Sequence, residues 1–145
     1  NDAEKQRVYA QTMLATGNLD KALAGYEKLY ETTKDVSSKL IIGNIYNQKE
    51  EYDKAIEIYK EVIRENPGNV QAYVNAATVY RLQGKKAEAI AISKEAVTAN
   101  PQNVTLLELK VSMLLEDQNS TEYKEAVAEL REVNPNDPLL QSLDQ

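Results

Sequence analysis

The chain contains no cysteine, histidine, tryptophan or phenylalanine. Without cysteine it has neither a disulfide nor a thiolate metal site, and the redox compartment stays open because an exported protein need not contain cysteine. Losing histidine and cysteine together removes the side chains that most often serve as general base and soft nucleophile, which leaves carboxylates as the only candidates for catalysis. With no tryptophan or phenylalanine, packing falls to nine tyrosines and to Ala, Leu, Ile and Val, a set that favours helices in close contact. Cations are in the minority: 17 Lys and Arg stand against 23 Asp and Glu, for a net charge of −6 and a pI near 4.8. That balance argues against a general affinity for nucleic acid or for anionic lipid, since both need clustered cations. No stretch approaches the roughly 18 apolar residues of a membrane span, so no membrane insertion is expected, and no charged-then-apolar leader opens the sequence. The chain starts at Asn1, as a processed or excised polypeptide would. A mature exported or periplasmic protein and a domain cut from a cytoplasmic one are both compatible with it.

The 145 residues, 42% of them hydrophobic, suit one ordinary domain, and they repeat. Asn66-Pro67, Asn100-Pro101 and Asn134-Pro135 follow one another at 34 residues, and the interval recurs in Asp35, Asn69, Asn103 and Asp137. Proline lacks the amide hydrogen and pushes the residue before it out of the α region, so each Asn-Pro ends a helix. The Asn or Asp two residues later then accepts from the free amides of the next helix. Asp2 is expected to do the same for the first helix. Asp20-Lys21-Ala22 and Asp53-Lys54-Ala55 announce a second helix in each repeat, with an acid where the helix dipole favours it. Gly17 and Gly84 fall in the turns between, where positive φ is useful.

The pattern predicts helices over Ala3–Ala15, Leu19–Thr32, Val36–Gln48, Tyr52–Glu65, Val70–Gln83, Lys86–Ala99, Val104–Glu116 and Thr121–Val133, with Pro138–Leu143 a short ninth. No strand-like alternation is present. The repeats run over 2–34, 35–68, 69–102 and 103–136, within a single domain. Residues 137–145 form a cap or the start of a truncated further repeat.

In this arrangement the sequence resembles the tetratricopeptide repeat family, whose pattern sets an aliphatic-Gly pair, a Tyr, an Ala, an aromatic and a Pro at fixed offsets. The second repeat carries Ile42-Gly43, Tyr46, Ala55, Tyr59 and Pro67, and the third carries Tyr73, Ala76-Ala77, Tyr80, Ala89 and Pro101, departing at Ser93. The first has Tyr9-Ala10, Met13, Ala22 and Tyr26, with a turn one residue shorter and Lys34 in place of proline. In the fourth, Lys110 replaces the aliphatic and Tyr123 the small Ala, which frays the resemblance at both ends of 2–137. Ala10, Gly43 and Ala77, with Ala22, Ala55 and Ala89, are the small residues that let paired helices approach. The resemblance implies a right-handed α-solenoid of four hairpins with a short C-terminal cap, and a non-catalytic protein-interaction role.

Nothing in the sequence opposes that role. Glu50, Glu51, Glu57, Glu61 and Glu65 read as solvated helical faces with Lys54, Lys60 and Arg64 at i,i+3 or i,i+4 spacing, not as an acid–base pair. Gly84-Lys85-Lys86 lacks the preceding glycine and strand of a phosphate loop. The sequons at Asn103 and Asn119 match a pattern common by chance, and Asn103 already has a capping role. No catalytic residue, metal ligand or cofactor is expected.

By resemblance, the first helix of each hairpin lines a concave wall, where the binding residues would be Arg7, Gln11, Ile41, Asn44, Asn75, Thr78, Arg81, Leu109 and Ser112. Gln11, Asn44, Thr78 and Ser112 hold the same place in successive repeats, a polar ladder suited to an extended peptide backbone. The expected partner is thus a peptide or protein segment. The chaperone-binding branch of the family clamps a C-terminal carboxylate with Lys and Asn residues, but Leu40, Thr105 and Leu109 stand at its basic places here. Too few cations converge for such a clamp. The alternatives are a self-assembling scaffold, with a second copy as partner, and an adaptor domain of a larger protein.

Overall fold

A computed structural model describes all 145 residues, Asn1–Gln145. The chain is all-α: α1 (Asp2–Ala15), α2 (Leu19–Thr33), α3 (Val36–Gln48), α4 (Tyr52–Glu65), α5 (Val70–Leu82), α6 (Lys86–Ala99), α7 (Val104–Met113), a 3₁₀ turn (Leu115–Asp117), α8 (Thr121–Val133) and α9 (Pro138–Leu143). Consecutive helices pair as four hairpins, with α9 after them. They form two compact units: Asn1–Asn66 holds the first two hairpins, and Pro67–Gln145 holds the last two with α9. No helix is long and apolar enough to cross a membrane.

The periodic Asn and Asp residues cap as their positions require. The side chains of Asp35, Asn69, Asn103 and Asp137 accept from the amides of Ser38, Ala72, Leu106 and Leu139 at 2.7–3.1 Å. The first helix departs from expectation. Asn1, not Asp2, is its cap, accepting from Glu4 N at 2.8 Å, and Asp2 stands inside the first turn, where its charge favours the helix dipole. The 33-residue step between the first two repeats is one short of the 34-residue period, which shifts the expected register by that residue.

Three of the hairpin turns close alike. Gly17, Glu50 and Gly84 take φ of 78°, 61° and 74°, and each is followed by an amide bonded five residues back: Asn18 to Met13, Glu51 to Tyr46 and Lys85 to Tyr80, at 2.8–2.9 Å. The fourth hairpin has Gln118 at the corresponding place with φ −69°, so the left-handed closure is missing. The chain tightens into i→i+3 bonds from Val111 to Ser120, and α7 ends at Met113 instead of running to Glu116. Ser120 then caps α8 through Tyr123 N at 3.1 Å.

Close approach of paired helices explains the small residues. Ala10, Ala22, Ala55, Ala77 and Ala89 are buried, and a Cβ on Gly43 would stand 2.5 Å from Tyr59 Cε1. Ser93, at the aromatic place of the third repeat, is fully buried and donates its hydroxyl to Ile90 O at 2.7 Å, so a polar group fits an apolar site without an unmet bond.

Candidate functional site

The first helices carry the predicted binding residues with varied commitments. On α1, Arg7 and Gln11 are exposed, and the Arg7 guanidinium lies 3.8 Å from the Asp35 carboxylate at the start of α3. On α3, Ile41 is half-buried against the core of the first unit, and Asn44 Oδ1 accepts the hydroxyl of Tyr59, a ring buried between α3 and α4. Asn44 therefore also orients a core tyrosine.

On α5, Asn75 accepts from Gln71 Nε2 at 2.6 Å. Exposed Thr78 donates its hydroxyl to Val74 O at 2.8 Å, so the donor of this ladder residue is satisfied within its own helix. On α7, Leu109 and Ser112 are half-buried. The structure brings Arg81 and Ser112 to one cleft of about 330 Å³ at the turn end of α5, α6 and α7, together with Lys86, Met113 and Glu116. Lys86 and Glu116 are 2.6 Å apart across it. The Lys86 hydrogen bond and charge, helped by Arg81, hold the Glu116 carboxyl below its ordinary range. Beside the cleft residues, Leu109 supplies an apolar contact and Asn75 and Thr78 the polar face of α5.

Two functional-looking features were not read from the sequence. Lys39 is buried on α3, its ammonium 3.0 Å from Glu61, 3.3 Å from Glu65 and 5.2 Å from the Tyr30 ring centroid. Burial pulls its pKa down, but the hydrogen bonds and charges of Glu61 and Glu65 more than offset this and leave it raised. Glu61 and Glu65 thus serve Lys39 of the partner helix and are not simply solvated; Glu51 does pair with Lys54, at 3.1 Å. The available signal was positional, since Tyr73 and Leu107 hold the place of Lys39 in the next two repeats. The second feature is the Lys86–Glu116 pair, 30 residues apart in sequence and joined by the hairpin stack.

No group of three or more acidic, histidine or cysteine side chains is placed to hold a metal ion.

The tetratricopeptide repeat family profile matches residues 46–111, the second half of hairpin two through most of α7. No curated protein sequence matches the chain. Solved structures do. A tetratricopeptide repeat protein from Parabacteroides merdae has a TM-score of 0.75 at 15% identity, over 97% of this chain and 56% of its own. MamA from Desulfovibrio magneticus, from its residue 41 onward, has a TM-score of 0.67 at 17% identity, over 94% of this chain and 78% of its own. A thermophilic tetratricopeptide repeat protein of Thermus thermophilus has a TM-score of 0.65 at 21% identity, over 99% and 79%. At these identities the likeness is one of fold. Domains of this kind are commonly protein–protein interaction modules and generally not enzymes. With its capped hairpins, its small residues at the helix contacts and the direct match over 46–111, the chain belongs to the tetratricopeptide repeat family.

Proposed function

We propose that the chain is a non-catalytic binding module that holds an extended peptide or protein segment against the first helices of its hairpins. The observation that carries this reading is the cleft of hairpins three and four, where Arg81, Ser112 and the Lys86–Glu116 pair converge on about 330 Å³ beside the polar face of α5. Such a cleft offers a cation for one acidic group of the segment, a hydroxyl for its backbone, and the Met113 side chain for apolar contact. On the first unit, Arg7, Gln11, Ile41 and Asn44 are the corresponding contacts. Absence of histidine and cysteine and the pairing of the carboxylates support a binding role over a catalytic one.

The test is selection of a random peptide library on the immobilised chain, repeated with Arg81→Ala/Ser112→Ala. Both side chains are at least partly exposed, so circular dichroism should be unchanged. Peptides enriched on the wild-type chain are expected to lose at least tenfold in affinity on the variant, about 1.4 kcal/mol. Peptides that bind both proteins equally would place binding elsewhere.

A further inference from the structure

The repeats provide their own standard for a covered helix face. Ser38, Lys39 and Ile42 lie along one face of α3 that packs on α2, and Ile42 is 4% exposed within the core built with Tyr26 and Leu29. One repeat earlier, 33 residues back, the same face of α1 carries Lys5, Gln6 and Tyr9. Here Tyr9 is 48% exposed and its neighbour Val8 57%. The face opens into a cavity of about 390 Å³ with Tyr9, Ala24 and Gly25 as floor and Lys5, Lys21 and Lys28 as rim. The side-chain oxygen of Gln6 is buried in it with no hydrogen-bond donor, an arrangement that costs free energy until a donor arrives.

Charge states what the occupant must carry. Lys39, Lys49, Lys54, Lys86, Lys94 and Lys110 each face a carboxylate within 3.3 Å. Lys5, Lys21 and Lys28 have no such partner, in a chain with six more acids than bases. Residues 103–145 contain nine acidic and three basic side chains, so the whole net charge of −6 resides there. On α8, Glu125, Ala128 and Glu132 form an exposed stripe at helical spacing, and neither glutamate has a cation partner. A helix that brings acids around a small residue complements an apolar floor with a lysine rim.

We propose that the open face of the first hairpin docks a second copy of this chain through the acidic stripe of its α8. The contact joins two different surfaces, so each copy offers one of each, and association continues past a dimer or closes a ring. It is independent of the peptide-binding reading and uses none of the same residues.

The experiment is sedimentation equilibrium of the full chain over a concentration series. At low salt the weight-average mass should rise above the monomer's 16.3 kDa, and in about 1 M NaCl, where screening acts within about 3 Å, it should fall back. Lys5→Glu/Lys28→Glu and Glu125→Lys/Glu132→Lys change only exposed positions and should each be monomeric. An equimolar mixture of the two should associate again, because each then presents the charge the other needs. A wild-type chain that stays monomeric at low salt would overturn the proposal, as would association that persists in both variants or a mixture that remains monomeric.

Discussion

Lys39 shows how a single side chain escapes a pattern-based reading. Its repeat position is apolar elsewhere, filled by Tyr73 and Leu107, and α3 buries it all the same because the aliphatic stem packs beside Tyr30 while Glu61 and Glu65 meet the ammonium. The caps, by contrast, were legible, since a cap depends on one residue and the chain direction after it, both local. What pairs across a hairpin depends on which faces meet, and no spacing within α4 reveals that Glu61 turns to α3. Lys39→Ala is expected to destabilise the chain by about 1–3 kcal/mol in urea unfolding, through loss of stem packing and of both ion pairs. The pH dependence separates these. A raised folded-state pKa gives stabilisation that is complete below the unfolded value of 10.5 and is lost as pH rises through the folded one. The gap between wild type and variant should therefore narrow in alkaline solution and be constant between pH 7 and about 9; a gap independent of pH up to global unfolding would leave only packing.

At the scale of elements, eight of nine helices were read to within one residue at each end, because Asn-Pro stops and Asn or Asp starts bracket them. The exception is α7. Its end depends on whether the following turn can adopt positive φ, and Gln118 does not, so the helix gives way to the 3₁₀ turn. Glu50 is the converse case. It occupies the place of Gly17 and Gly84 and accepts φ of 61° although it has a Cβ, because the bonds from Glu50 N to Asn47 O and Glu51 N to Tyr46 O, both 2.9 Å, fix the turn. A left-handed conformation costs a non-glycine residue about 1 kcal/mol. Glu50→Gly should remove that strain, and the entropy glycine adds to the unfolded chain returns part of it. The expected net is a stabilisation of about 0.5 kcal/mol, seen as a higher urea midpoint with unchanged slope. A lower midpoint would mean that the Glu50 side chain contributes more than its backbone conformation costs.

For the whole molecule, the family and its hairpins were legible because a 34-residue period is a global signal, whereas the candidate site was legible only as a set of positions on the first helices. The gathering of Arg81 and Ser112 with Lys86 and Glu116 needs the stack of α5, α6 and α7, and the exposed face of α1 needs a count of what covers its counterparts. The ninth helix tests how far stability travels along such a chain. Leu140 is 1% exposed and Asp137 equally so, with Asn134 donating to Asp137 and Arg131 facing Asp144 at 3.2–3.5 Å. This short helix thus closes the end of the unit Pro67–Gln145. Leu140→Ala removes a buried side chain and should cost about 2–4 kcal/mol in that unit. In repeat proteins each hairpin draws its stability from its neighbours, so the loss should be graded along the chain. Hydrogen exchange is expected to quicken most in α8 and α9, less in α7, and not measurably in α1 and α2. Equal acceleration in all nine helices would show that the chain unfolds as one cooperative block, and that the repeat is a feature of its sequence without being the unit of its stability.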